Sequence, residues 1–480
     1  MGDSDARPAA QDGVFGARVS SDERAMALAR HLNSETPPLL DMNWCGDDSH
    51  VLTDQPPDDP TRLAAGTPND HVAEVARSAV AADRYGAFVS VSHPAMETWQ
   101  TNVRSSGTAL TGVPVAVKDN IAVRGMSLTA NSEVLHGCVA ASDAAIVGRL
   151  REVGAWIVGK TALDEFAFAT IGSGITNPAA PSRTAGGSSG GSAVAVASGA
   201  CSLALGTDTG GSVRIPASCT GVVGFKPSSG WYSNQGVIPL SWSLDVIGLL
   251  ARSVGEVAAA FSAIAGSPAA TQELGLRNLR VGVPDQHYLR VAGAAVLEAF
   301  TVGCDALRSS VRLIEPVSLP DSDDALDMQY LIVLAEAWEY HRQRWDVATA
   351  AYGDGVRSAL ERGGLISADQ YLTAQRARTV LQARLQGLFE RYDVLALPTL
   401  PIDPPLVGAE EVTLADGRVE DVVSAMLRYT ALFNHAGFPA ISIPLPSRDG
   451  VPRGLQLVGR RNEDGGLLRV ATLIEQALAS

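Results

Sequence analysis

The stretch Gly206-Thr-Asp-Thr-Gly-Gly-Ser-Val-Arg-Ile-Pro216 begins in a predicted buried strand, Leu203–Thr207, and leads into a predicted helix that starts at Ser212. A buried strand, a glycine turn and a helix in this order are typical of a sheet-based α/β core. The glycines permit unusual backbone angles, so the N–H groups of Thr209, Gly210, Gly211 and Ser212 can point into the turn. Donors grouped at a helix N-terminus stabilise a developing negative charge. The stretch therefore predicts an α/β fold with an oxyanion-binding turn.

A second glycine-serine run, Gly186-Gly-Ser-Ser-Gly-Gly-Ser192, lies upstream of the first. A phosphate-binding loop is one interpretation, but the run lacks both the GxxxxGK[ST] and the GxGxxG spacing. A nucleophile elbow centred on Ser189 is another, because Gly187–Gly191 matches GxSxG. A proline-containing loop precedes it where that motif requires a strand. The later histidines that could complete such a triad, His287, His341 and His435, fit structural roles better.

A serine nucleophile that works without histidine is the third interpretation. Ser212 is then the nucleophile, and the base has to be a lysine. Lys118 ends the apolar segment Val113–Val117. Burial on such a strand lowers the pKa of a lysine, and a neutral amine accepts a proton. These two residues are the candidate nucleophile and base.

Strand and helix patterns alternate along the rest of the chain. Strands are predicted over Ala87–Val91, Pro114–Val117, Trp156–Val158, Leu279–Val283, Val394–Leu397, Ala440–Ile443 and Leu455–Val458. Helices are predicted over Ser21–Asn33, Asn69–Asp83, Asp143–Gly154, Ala193–Ser198, 253–265, Gln329–Trp345, Ala368–Tyr392 and Gly465–Ala479. The mainly helical part, 290–392, is interpreted as a layer inserted into the α/β body or as ordinary outer helices of the core.

Charge and composition exclude several classes of function. The chain of 480 residues has a net charge of −15 and 46% hydrophobic residues, which is a globular composition. A negative protein is repelled by nucleic acid and by anionic membranes, so neither is predicted as a partner. The first residues show no secretory signal, and five cysteines without CxxC spacing predict reduced thiols. A cytoplasmic location is expected.

Several motifs together resemble the amidase signature family. They are Gly112-Val-Pro-Val-Ala-Val-Lys-Asp-Asn120, Gly159-Lys-Thr161, Asp164-Glu-Phe166, the two glycine-serine stretches, Gly221-Val-Val-Gly-Phe-Lys-Pro227 and Asn434-His-Ala-Gly-Phe-Pro-Ala-Ile-Ser442. The resemblance covers about 85–265 and 393–478. It implies a large mixed β-sheet sandwiched by helices, in a domain spanning 69–480. The expectation for 1–68 is an N-terminal arm and helix, and for 270–392 a divergent, mainly helical substrate-pocket region.

The resemblance also implies the roles of individual residues. Ser212 corresponds to the nucleophile, Ser188 to a bridging serine in a cis peptide with Gly187, and Lys118 to the base. The supporting positions correspond to Ser189, Asp208 and Arg214. No metal or cofactor is implied.

The expected substrate is a small-molecule amide with an apolar or aromatic acyl group. The residues expected to line the substrate pocket include Met328, Tyr330, Trp338, Tyr340 and Trp345. The alternative role for these residues is packing between helices. The runner-up function is that of the glutaminase subunit of glutamyl-tRNA amidotransferase, which has an acidic residue where this chain has Leu427 beside Arg428; Glu420 or Asp421 could substitute. Hydrazides or urea-like compounds are an alternative class of substrate. The chain could also form a homodimer, or it could be a catalytically inactive subunit of an assembly.

Overall fold

The computed structural model describes residues 83–92, 110–266, 275–308 and 310–479. The predicted arm 1–68, the helix Ser21–Asn33 and all but the last residue of the helix Asn69–Asp83 lie outside the described residues.

Thirteen strands are formed by the described residues, and eleven of them make one mixed sheet. The strands are β1 (Phe88–Val91), β2 (Pro114–Lys118), β3 (Trp156–Thr161), β4 (Leu203–Asp208), β5 (Val223–Lys226), β6 (Val246–Ala251), β7 (Arg280–Pro284), β8 (Leu313–Val317), β9 (Val394–Pro398), β10 (Glu411–Thr413), β11 (Val419–Asp421), β12 (Ala440–Pro444) and β13 (Gly454–Val458). The order in the sheet is β1-β3-β2-β4-β6-β5-β12-β13-β9-β7-β8, and β10 pairs with β11 in a separate ribbon. The predicted large mixed sheet is confirmed.

Helices flank this sheet. They are α1 (Ala145–Glu152), α2 (Gly190–Ala197), α3 (Arg214–Thr220), α4 (Val254–Ala265), α5 (Gln286–Leu289), α6 (Ala294–Arg308), α7 (Ser322–Arg342), α8 (Asp354–Gly363), α9 (Ala368–Leu388), α10 (Val422–Leu427), α11 (Ala431–Ala436) and α12 (Asp464–Leu478). Local sequence explains several ends: Ser253 and Glu256 form a capping box at the start of α4, and Gly266 ends that helix with a φ of +71°.

Burial explains why the central strands form. Every residue of β2, β3, β4 and β9 is buried, as expected for strands covered on both faces. The long predicted helices correspond to α7 and α9, but α7 begins seven residues before the predicted start at Gln329 and α9 ends four residues before the predicted end at Tyr392. The prediction missed β5, β6, β8, β10 and β11. Of these, β8 is a partly exposed edge strand that contains Pro316, so it lacks a clear apolar alternation.

The segment 275–392 supplies strands as well as helices. It contains α5–α9 and also β7 and β8, which close one edge of the main sheet. Within the described residues no helix has both the length and the apolar character needed to cross a bilayer. Cys201, Cys219 and Cys304 are free and buried. Cys138 differs from the expectation of reduced thiols because it is disulfide-bonded.

Candidate active site

Two neighbouring parallel strands, β2 and β4, bring the predicted residues to one edge of the sheet. Their register pairs Val117 with Leu205, so the strands end side by side. Lys118 is the last residue of β2, and Asp208 is the last residue of β4. Carboxyl ends of adjacent parallel strands form the usual binding edge of an α/β sheet. The chain then continues from β4 into residues 209–212, hereafter the glycine turn.

Lys118 lies fully buried and contacts two hydroxyl groups. Its Nζ donates hydrogen bonds of 2.8 Å to Ser188 Oγ and 2.8 Å to Thr207 Oγ1. Burial lowers the pKa of Lys118 to about 7, although the negative charges of Asp164, Asp245 and Asp208 act to raise it. A lysine with this pKa is partly neutral at physiological pH, so its amine can accept a proton.

Ser188 is held by a tightly packed loop before α2. The Gly187–Ser188 peptide bond is cis, as the resemblance implies. A Cβ at position 187 would overlap the carboxylate of Asp164, so this position requires glycine. That carboxylate is itself fixed, because it accepts hydrogen bonds from Gly172 N (3.1 Å) and Ser173 N (2.9 Å).

Ser212 lies next to this loop at the end of the glycine turn. The backbone N–H of Ser189 donates a 3.1 Å hydrogen bond to the carbonyl oxygen of Ser212, which joins the two serine segments. Ser212 keeps 4% exposure. Among the described residues its hydroxyl has no hydrogen-bond partner, Ser188 included. Hydrogen bonds between catalytic groups are often long or absent until substrate binds.

The glycine turn offers a set of unused donors. The backbone N–H groups of Thr209, Gly210, Gly211 and Ser212 donate to no group in the described part of the chain. The φ of Gly211 is +143°, and a Cβ there would overlap Thr430. A Cβ on Gly210 would approach Gln329 Nε2 to 2.6 Å and Leu427 Cδ2 to 2.8 Å. Gly211 is therefore required by its φ and by the close approach of Thr430, whereas a Cβ on Gly210 would displace the ends of the Gln329 and Leu427 side chains.

Side chains from three segments fix the turn. Thr430 Oγ1 donates to Gly210 O (2.6 Å), and Gln329 Nε2 donates to Thr209 O (3.3 Å). The Thr209 hydroxyl donates to Asp245 Oδ1 (2.6 Å). With two of its carbonyl groups bonded to side chains of the protein, the turn is held with its N–H groups available to a ligand, which is the arrangement needed for an oxyanion hole.

Asp208 and Arg214 form a buried ion pair below the turn. Arg214 Nη2 donates to Asp208 Oδ1 (2.8 Å), and both residues are fully buried. Arg214 also donates to Gln456 Oε1 (2.5 Å) and Asn434 Oδ1 (2.5 Å). Burial acts to raise the pKa of Asp208, but the charge and hydrogen bonds of Arg214 outweigh it and lower the pKa to about 2. Asp208 therefore stays ionised at neutral pH, and the contacts of the pair connect β4 to α3, α11 and β13.

Ser189 supports β4 directly. Its Oγ accepts a hydrogen bond from Thr207 N and donates one to Thr207 O, both of 3.2 Å. Ser189 is buried and points into the strand, so it does not have the exposed geometry of a nucleophile elbow.

The histidines and aromatics singled out from sequence lie in other settings. His287 is largely exposed and lies 3.8 Å from Asp321. His341 bonds Tyr352 through Nδ1 (2.8 Å), and burial lowers the pKa values of His341 and His435 to about 3. Rings of Tyr340 and Trp345 pack in an aromatic cluster with His341, at 5.3 and 5.4 Å between centroids. These two aromatics therefore serve helix packing.

Sequence reasoning missed several residues that the structure brings to the site. Thr207 stands inside a quoted motif and could have been noticed there. Asn434 also belongs to a quoted motif, but its contact with Asp208 joins positions 226 apart. Asp245 and Gln329 carry no local signal. Among the described residues no group of three or more His, Cys, Asp or Glu side chains is arranged to hold a metal ion.

Known proteins resemble this chain in sequence and in fold. The family model for amidases matches residues 72–468. An amidase of Pseudomonas putida is 39% identical over 384 residues, covering 77% of this chain and 82% of that protein. The A subunit of glutamyl-tRNA(Gln) amidotransferase from Symbiobacterium thermophilum is 36% identical over 408 residues, with coverages of 75% and 82%.

A solved amidase structure superimposes on this one with a TM-score of 0.80 and 34% identity, covering 86% of this chain and 96% of that chain. The fold and the family expected from the motifs are thus confirmed. A family match over most of its length and relatives of this identity establish that the chain belongs to the amidase signature family and is an enzyme that hydrolyses amide C–N bonds.

Proposed function

We propose that Ser212 attacks the amide carbon and that Ser188 and Lys118 carry its proton. The observation that supports this proposal most is the 2.8 Å contact between Lys118 and Ser188, made by a buried lysine whose pKa lies at about 7. The unused N–H groups of the glycine turn lie beside Ser212, where the carbonyl oxygen of a bound amide would become negative.

The proposed steps conserve every proton. Neutral Lys118 takes the proton of Ser188 as Ser188 takes that of Ser212, and Ser212 Oγ bonds to the amide carbon. The glycine turn stabilises the oxyanion. The same relay returns the proton to the departing nitrogen, which leaves as ammonia or an amine. Water then attacks the acyl-enzyme by the same route and releases the carboxylic acid. None of these steps uses a metal or a cofactor.

The acyl group is proposed to be apolar or aromatic. Leu427 Cδ2 lies 2.8 Å from the position that a Cβ of Gly210 would occupy, so an apolar side chain borders the glycine turn. The neighbouring Arg428 is not available for a carboxylate, because it donates to Asp323 (2.7 Å) and to Glu420 (2.7 Å). Asp208 and Arg214 likewise neutralise each other. A substrate such as glutamine carries two charges that need fixed partners, and these groups are already paired.

A substrate panel with matched variants tests this function. Primary aromatic and aliphatic amides, anilides, hydrazides and ureas are scored for release of ammonia or amine. Ser212→Ala is expected to abolish turnover, whereas Ser198→Ala, which removes a hydroxyl from the end of α2, keeps it. Mass spectrometry of a quenched reaction should show the acyl group on a peptide containing Ser212. Full turnover by Ser212→Ala, or an acyl group elsewhere, would show that the assignment is wrong.

The second candidate function is that of the glutaminase subunit of the amidotransferase, which the relative at 36% identity favours. It predicts glutaminase activity and stable co-purification with partner subunits. The proposal made here is instead a cytoplasmic enzyme that needs neither partner subunits nor tRNA. Assays of the isolated chain with glutamine and with phenylacetamide separate the two, because strong preference for glutamine would favour the amidotransferase.

A further inference from the structure

Gln329 reaches the glycine turn from α7, in the segment without motif resemblance. The side chain is deeply buried, since the exposure of the residue is 6%. Its Nε2 donates to Thr209 O (3.3 Å) and would lie 2.6 Å from a Cβ at Gly210. The amide therefore lies against the backbone that precedes Ser212 by two to three residues.

The other end of this amide has no partner. Gln329 Oε1 is buried and accepts no hydrogen bond from the described residues. Thr209 O can only accept, so the NH2 group must face it and Oε1 must face away. A buried acceptor without a donor is destabilising, and buried polar atoms are satisfied in the great majority of cases. We therefore expect Gln329 Oε1 to accept a hydrogen bond from a group that does not belong to the chain.

The position of Gln329 is fixed by a second contact of the same helix. Glu336 follows seven residues later and so lies on the same face of α7. Its carboxylate accepts hydrogen bonds from Ser241 Oγ (2.6 Å), Ser243 N (3.1 Å) and Tyr371 OH (2.8 Å). Because Glu336 anchors this part of α7, the backbone of Gln329 is held at a fixed distance from the glycine turn.

The surroundings of Oε1 restrict what can bind there. Leu427 Cδ2 lies on the same side of Gly210 as the Gln329 amide, since both approach the position that a Cβ of Gly210 would occupy, so an apolar side chain borders this amide. A neutral donor suits such surroundings, because a charged donor would lose its hydration without a counter-charge.

From these contacts we infer that Gln329 is a specificity-determining residue whose Oε1 accepts a hydrogen bond from a neutral N–H or O–H group of the substrate. The inference rests on the proposed reaction at Ser212. The donor comes from one of two places: a hydroxyl or ring N–H on the acyl group, or the N–H of the amide being cleaved. A site that bonds a substrate donor discriminates against analogues that lack it.

Two substrate ratios test the inference with one variant. The acyl ratio compares kcat/KM for 3- and 4-hydroxyphenylacetamide with that for phenylacetamide. The amide ratio compares phenylacetamide with methyl phenylacetate, which has no N–H. In Gln329→Met, which keeps the length of the side chain, one of the two ratios is expected to fall about tenfold. The ratio that falls identifies the source of the donor.

Gln382→Met is the matched control, because Gln382 also donates to a backbone carbonyl, His435 O (2.9 Å), but on α9. Both ratios should stay at wild-type values in this variant. Affinities of the same amides for Ser212→Ala, with and without Gln329→Met, give a second readout that needs no turnover. Unchanged ratios and unchanged affinities in Gln329→Met, or equal changes in the control, overturn the inference. Activity that survives Ser212→Ala would instead overturn the proposed reaction.

Discussion

Asp245 accepts a 2.6 Å hydrogen bond from the hydroxyl of Thr209, so a buried carboxylate is joined to the first residue of the glycine turn. Burial raises the pKa of Asp245 to about 6, against the lowering effect of hydrogen bonds from Thr209, Ser241 and Leu240. The same carboxylate raises the pKa of Lys118 through its charge. Asp245 thus acts on both the turn and the lysine.

The Asp245→Asn variant should therefore shift the pH dependence of kcat/KM. Removal of the negative charge favours the neutral lysine, so the rising limb is expected to move to lower pH. Thr209→Val keeps the carboxyl group but removes a hydrogen bond that lowers its pKa, so it should lower the rate and move the rising limb in the same direction by a smaller amount. A rising limb that stays in place in Asp245→Asn would show that this charge does not reach Lys118.

For the wild-type enzyme, kcat/KM should rise with pH and level off above about 7, the pKa to which burial lowers Lys118. Below this pH the lysine is protonated and cannot accept a proton from Ser188. Lys118→Ala should lose turnover at every pH while it stays folded by circular dichroism. Substantial turnover by Lys118→Ala at neutral pH would refute the role of the lysine.

Gly210→Ala should damage activity more than stability. The added Cβ would press on the ends of the Gln329 and Leu427 side chains, so these side chains or the glycine turn must shift, and either movement disturbs the site. A displacement of about 1 Å at a reacting group can lower the rate by about 100-fold. Gly148→Ala is the control, because a Cβ at this position of α1 meets nothing within 4 Å. That variant should be active and slightly more stable in urea denaturation.

Asp208→Asn should destabilise the protein by about 3–5 kcal/mol, because it leaves the buried Arg214 without its counter-charge. Urea denaturation measures the loss. Asp449→Asn is the control and should cost far less, because it breaks an ion pair whose Asp449 side chain is 53% exposed. The folded pKa of Asp208 is depressed to about 2. Its contribution is therefore complete above the unfolded pKa of about 3.9 and is lost as pH falls toward 2. Equal losses in the two variants would contradict this account.

The parts of the site that sequence predicts lie within short contiguous motifs. Lys118, Ser188 and Ser212 each stand in a stretch whose own residues indicate the chemistry, an apolar strand ending in lysine or a run of glycines and serines. Asp245 and Gln329 could not be found in this way, because their contacts with Thr209 join segments that are far apart in sequence. The aromatics of α7 were conspicuous in sequence, yet Tyr340 and Trp345 pack into the core, while an ordinary glutamine on the same helix reaches the turn.

Arg214 is hydrogen-bonded to residues that are synthesised much later than itself, which affects when the site can form during translation. Its partners Asn434 and Gln456 are 220 and 242 positions further on. At about 5–20 residues per second, translation needs on the order of 10–50 s to reach them. During that interval the nascent chain carries both glycine-serine stretches but lacks the groups that surround the guanidinium, so the native hydrolytic site forms only after Asn434 and Gln456 have emerged from the ribosome.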